Sequence, residues 1–93
     1  MTIKELYTRK NQFATRNVGP ELVLVPLRNN VADMNELYTM NESGSFIWEL
    51  IDGKNTEEEI VAALMEQFDV DERTAREDLD EFIGSVSEMI AKS

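Results

Sequence analysis

The side chains that carry most enzymatic chemistry are missing from this chain. Its 93 residues include no histidine and no cysteine. That removes Ser-His-Asp and Cys-His nucleophile systems, the usual zinc ligand sets and the commonest general base. Carboxylates remain, in two clusters: Glu57-Glu58-Glu59 and Glu77-Asp78 with Asp80-Glu81. The first follows Thr56, and Thr56 with Glu59 has the spacing of a capping box, so those glutamates read as a helix start. The second lies in a helical pattern and reads as a solvated face. Asp69, Asp71 and Asp78 lack the glycine and terminal glutamate of a calcium loop. The four glycines (19, 44, 53 and 84) are too scattered to cradle a phosphate. Neither catalysis nor a cofactor is expected, which leaves binding.

The charge narrows the partner. The net charge is −10. Residues 1–40 carry five Lys/Arg and four Asp/Glu, a net of +1; residues 41–93 carry four and fifteen, a net of −11. Phosphate contacts dominate nucleic-acid affinity, so an acidic half does not suit DNA or RNA. No run approaches the ~20 apolar residues of a membrane span, and MTIKELYTRK holds no apolar core of signal-peptide length. A cytoplasmic protein with no membrane contact is expected. A hydrophobic content of 42% suits one small globular domain.

The elements are organised around Leu37–Gly53, which reads as a strand turning directly into a helix that stops on glycine. Asn41 is placed to cap the helix, Phe46, Ile47, Leu50 and Ile51 form its apolar stripe, and Trp48 falls at its margin. Before it, Phe13–Asn17 and Leu22–Leu27 form a predicted hairpin around Gly19-Pro20, with Pro26 near a strand end. Residues 28–35 read as a loop and Glu36–Met40 as the third strand. After it, a helix from the Thr56 cap to about Gln67 buries Ile60, Val61 and Leu64. A final helix, capped by Asp71, spans about Glu72–Ala91. Its core stripe is Ala75, Leu79, Phe82, Val86 and Met89. A neighbouring stripe is Arg76, Asp80, Ile83, Ser87 and Ile90. Gly84 inside it costs about 1 kcal/mol against alanine. Residues 1–12 are an N-terminal extension for which a short helix through Ile3, Leu6 and Tyr7 and a frayed end both stay open. The tetrapeptide Glu-Leu-Tyr-Thr recurs at 5–8 and 36–39 and is too short to be a repeat.

A three-stranded sheet has two edges with unpaired N–H and C=O groups. An extended peptide can add to such an edge, taking affinity from main-chain bonds and specificity from side-chain pockets. The short strand Glu36–Met40, beside the last helix, is the candidate edge.

Several segments in order resemble the family of pyrroloquinoline quinone biosynthesis protein D (PqqD). They are Tyr38-Thr39-Met40-Asn41, Ser43-Gly44, Phe46-Ile47-Trp48, Ile51-Asp52-Gly53 and Thr56-Glu57-Glu58-Glu59-Ile60, with Phe68, Asp71 and the run from Asp78-Leu79 to Phe82-Ile83 following. The resemblance covers residues 13–91. It implies an α+β, winged-helix-like fold: a three-stranded antiparallel sheet followed by three α-helices. It implies a non-catalytic recognition element that binds the leader of a ribosomally made precursor peptide. Such elements present the peptide to a modifying enzyme, often a radical S-adenosylmethionine protein. The leader is expected as an added strand beside the third strand and against the third of these helices. That implicates Glu36, Leu37, Tyr38, Thr39 and Met40 by backbone pairing, and Arg73, Arg76, Asp80 and Ile83 on the helix. A monomer or weak dimer is expected. Met40 stands where the family often has leucine, and Ser45-Phe46 replaces a small apolar pair. The competing classes are a DNA-binding winged helix and a structural or oligomerising subunit of a larger enzyme.

Overall fold

The computed structural model describes residues 1–28, 31–32 and 37–92. The chain runs α1 (Ile3–Arg9), a 3₁₀ turn (Lys10–Gln12), β1 (Phe13–Val18), β2 (Glu21–Arg28), β3 (Val31–Ala32), β4 (Tyr38–Met40), α2 (Glu42–Leu50), α3 (Glu57–Phe68) and α4 (Glu72–Lys92). β1 and β2 form the expected hairpin, in register from Phe13 opposite Pro26 to Val18 opposite Glu21. Its two-residue loop begins with Gly19 at φ 62° and continues with Pro20, the pattern a type II′ turn asks for. β4 pairs antiparallel with β2, Leu22 opposite Met40 and Leu24 opposite Tyr38. Leu22–Leu24 pair with β1 and β4 at once, so β2 is the centre of a three-stranded antiparallel sheet. The two-residue β3 adds a bridge at the end of β2, Leu27 opposite Ala32. Three β2 steps, Leu27 to Leu24, match six chain steps, Ala32 to Tyr38, so β3 and β4 keep separate registers.

The third strand is therefore shorter than the sequence pattern suggested. Leu37 is outside the strand, and Glu36 lies outside the described residues, as does most of the expected 28–35 loop.

Four α-helices cover one face of the sheet. Leu22, Leu24 and Met40 from the strands meet Ile47, Trp48, Ile51, Ile60, Val61, Leu64, Ala75, Leu79, Phe82, Val86 and Met89 in one core. The stripe read from the last helix is the stripe that is buried. Each helix start has its cap. Asn41 Oδ1 accepts from the Gly44 N–H at 2.9 Å, Thr56 and Glu59 form the reciprocal box, and Asp71 Oδ1 accepts from the Thr74 N–H at 2.8 Å. These bonds satisfy donors that a helix leaves orphaned in its first turn.

The N-terminal segment is a helix that joins the core. Thr2 and Glu5 form a second capping box, and Leu6 is 1% exposed. The segment holds α2 by its C-terminal end. Lys10 Nζ donates to the carbonyls of Trp48 at 2.8 Å and Ile51 at 2.9 Å, and lies 5.1 Å from the Trp48 ring centroid. Phe13 meets the same ring edge-on. Trp48 is thereby buried, not marginal as its place beside the apolar stripe suggested. Gly53 closes the turn after α2 at φ 83° under the Tyr7 ring; a Cβ there would come 2.8 Å from a ring carbon.

Candidate functional site

β4 has one paired edge. Its residues pair with β2, and no other described strand lies along its outer side. Facing that open edge is a flank of α4. The core stripe of α4 fixes the helix against the sheet. At 100° per residue, Asp78, Glu81, Ser85 and Glu88 recur on the side next to that stripe, over β4.

Two adjoining cavities lie between strand and helix. One, of about 190 Å³, is lined by Thr39, Met40 and Asn41, by Ser43, Gly44 and Ile47 of α2, and by Asp78, Glu81, Phe82 and Ser85. The other, of about 260 Å³, is lined by Tyr38, Thr39 and Met40 with Ser85, Glu88 and Met89. They share Thr39, Met40 and Ser85, so they are stretches of one groove. Met40 lies toward Asp78 and Phe82, and Tyr38 toward Met89, so β4 runs antiparallel to α4. The first turn of α2 closes one end. It sits close to the strand, because a Cβ on Gly44 would come 3.2 Å from the Met40 Cβ.

Apolar side chains lie beneath the groove, Thr39, Asn41, Ser43 and Ser85 add polar groups to its lining, and its rim is acidic. Met40, Ile47, Phe82 and Met89 are each at most 8% exposed. No lysine or arginine lines either cavity among the described residues. The side chains of Asp78 and Glu81 have no hydrogen-bond or ion-pair partner among the described residues. Nor is there a group of His, Cys, Asp or Glu among the described residues that could hold a metal ion. The shifted titrations belong to the scaffold. Backbone N–H groups of Lys54 and Asn55 hold the Asp52 carboxyl below the usual range, and the Thr74 N–H does the same for Asp71. Burial pushes the Lys10 ammonium down, against the pull of Asp52 and Glu49.

The sequence-predicted residues divide. Tyr38, Thr39 and Met40 line the groove, and exposed Leu37 precedes them. Arg73, Arg76, Asp80 and Ile83 do not reach it. Arg76 and Asp80 each lie two residues from Asp78, and Ile83 two from Glu81, about 200° round the helix. Arg73 pairs with Glu77 at 3.3 Å and Arg76 with Glu72 at 3.2 Å, both on the surface, and Ile83 packs against the core. Sequence reasoning did not name the groove-lining Asp78, Glu81, Phe82, Ser85, Glu88 and Met89 as site residues. The usable signal was the contrast between the two flanks of α4. The flank with Ile83 and Ile90 has apolar surface to cover, and both side chains are partly buried. The acidic flank needs no cover and stays open.

A small winged-helix-like α+β domain, with an unpaired strand edge set against its last helix, is the class that this fold and groove define. The chain belongs to the family of coenzyme PQQ synthesis protein D (PqqD), whose model matches residues 21–88. Among solved structures it is similar to TbiB1 in complex with the TbiA(beta) leader peptide. The TM-score is 0.69 at 25% identity, over 86% of this chain and 87% of that one. No curated protein matches the chain.

Proposed function

We propose that this protein is a non-catalytic peptide-binding adaptor. It recognises the leader of a ribosomally made precursor peptide by strand addition to β4 and presents it to a modifying enzyme. The observation that carries this reading is the open outer edge of β4 beside the groove under α4. Family membership and the likeness to TbiB1, a protein solved with a leader peptide, support it. Backbone pairing falls to Leu37, Tyr38, Thr39 and Met40, in one run with Glu36. Side-chain recognition falls to the groove flank of α4 rather than to Arg73, Arg76, Asp80 and Ile83. The acidic rim disfavours phosphate, and with it the DNA-binding alternative.

The test is isothermal titration against the leader of a precursor peptide encoded beside this gene. Binding at micromolar affinity or better is expected. Thr39→Pro should weaken it more than Thr39→Ala, because proline fixes φ and removes a backbone donor. No heat with any neighbouring peptide, or equal effects of the two substitutions, would refute the reading.

A further inference from the structure

We infer that the groove selects a peptide strand carrying a lysine or arginine, whose side chain enters the cavity between Met40 and Phe82 and ends at Asp78 and Glu81. This rests on the strand-addition reading and adds a ligand chemistry to it. Size, surface and charge of the cavity lead to the same side chain.

At about 190 Å³ the cavity exceeds the ~150 Å³ that admits a benzene, so it takes one whole side chain. Met40 and Phe82 give it a narrow apolar wall, 8% and 6% exposed, among the polar neighbours Thr39, Asn41, Ser43 and Ser85. A side chain with a hydrocarbon stem packs along that wall. The outlet is different. Asp78 and Glu81, one helical turn apart, stand at the mouth without a hydrogen-bond or ion-pair partner among the described residues. Elsewhere on α4 the carboxylates of Glu72 and Glu77 do have an arginine four residues away. Lysine and arginine have this amphipathic build: an apolar stem that packs and a charged head that reaches out. Arginine can also bridge two oxygens. A peptide acid at the same position meets like charge, and a purely apolar one leaves the two carboxylates facing a covered, less hydrated surface.

Strand geometry sets where the residue sits. In an added strand every second side chain points to the helical layer. The basic residue therefore has neighbours two positions away that also face α4, and one of these is placed for the second stretch of the groove, by Tyr38 and Met89. The expected pattern is a basic residue and an apolar residue at i and i±2.

The experiment uses the full chain and a synthetic library of acetylated, amidated nonapeptides randomised at every position. Peptides retained by the wild-type protein are compared with those retained by the double variant D78K/E81K. Emission of Trp48 checks that the variant is folded. Enrichment of Lys or Arg two positions from an apolar residue is expected. The preference should turn to Asp or Glu in the variant, a change of about ten-fold or more for matched peptides. Retention of extended peptides with no basic preference, or with one unchanged in the variant, overturns this inference and leaves strand addition standing. Retention of no peptide overturns both.

Discussion

Replacing Lys10 with methionine isolates the contact that ties the N-terminal segment to the helix behind the groove. Methionine keeps most of the apolar stem and removes the ammonium, its two hydrogen bonds to the Trp48 and Ile51 carbonyls and its place near the Trp48 ring. Hydrogen bonds from a charged group contribute roughly 1.5–3 kcal/mol each when well shielded. A cation at a helix C-terminus adds up to about 2 kcal/mol in partly buried geometry. Two effects reduce that sum. Lys10 is only half-buried, so water takes over part of the bonding. Its lowered pKa also shows that burial costs the charged form more than Asp52 and Glu49 return. The expected net loss is about 1–2 kcal/mol. With a urea slope near 1 kcal/mol/M for a chain of this size, the midpoint should fall by roughly 1–2 M. The corresponding fall in Tm is about 4–16 °C. The readout is built in, because Trp48 is the sole tryptophan of the chain and only 5% exposed. A Lys10→Met midpoint within about 0.3 M of wild type would show that the α2 terminus is held without this clamp.

Three further outcomes are expected. Gly84→Ala should raise stability by about 1 kcal/mol in the same urea assay, since Gly84 is interior to α4 and a Cβ there meets nothing within 4 Å; a fall would place an unseen contact at that position. Asp71 and Asp52 have depressed folded-state pKa values, so their stabilisation is present above the ordinary carboxylate value of 3.8 and is lost as pH falls through the lower folded value. Thermal midpoints should therefore drop as pH goes from about 5 to below that range, and Asp71→Asn should drop less steeply; identical slopes would exclude Asp71 as a contributor. In a bound leader peptide, N-methylation should abolish binding at alternate residues of the added strand and spare those between, because successive N–H groups point to opposite sides; uniform loss or uniform tolerance would refute strand pairing.

Much of this architecture is legible residue by residue, and the gaps have physical causes. The hairpin, the third strand and the three later helices each have local signals, such as Gly19-Pro20, the Asn41 and Asp71 caps and the Thr56–Glu59 box. Thr2–Glu5 has the same box spacing, yet it opens a helix of seven residues. So short a helix is not stable by itself; it exists because Leu6 reaches the core and Lys10 reaches α2, contacts 38 and 41 residues apart in the chain. The burial of Trp48 has the same origin, since Phe13 and Lys10 cover it from outside its own helix. The α4 residues named from the sequence lie on the flank away from the groove for a related reason. Periodicity identifies the core stripe and both flanks beside it, but not which flank meets the sheet. That depends on where α3 and α2 leave α4 uncovered.

If a peptide adds to β4 as proposed, the shortness of the strand decides where recognition resides. Of the four residues Leu37–Met40 assigned to pairing in the proposed strand addition, two face outward, and each offers one N–H and one C=O, so an added peptide gains about four main-chain hydrogen bonds. At about 1 kcal/mol net for each, the edge supplies roughly 4 kcal/mol. Micromolar affinity requires about 8 kcal/mol, and ordering an extended peptide raises the requirement further. At least about 4 kcal/mol must therefore come from side chains. At roughly 25 cal/mol per Å² that is on the order of 160 Å² of apolar surface removed from water, an amount one or two side chains can bury. The groove provides two cavities for them, floored by Met40, Ile47, Phe82 and Met89. On the proposed strand addition, the edge would accordingly set the direction and register of a guest, while the groove would set its affinity and sequence. Substitutions that fill the cavity, such as Ser85→Phe at an exposed position of the groove wall, should then weaken a leader peptide more than Thr39→Ala on the strand itself. Titration of both variants against one peptide measures the difference, and a larger loss at Thr39 would refute the cavity between Met40 and Phe82 as the main source of affinity.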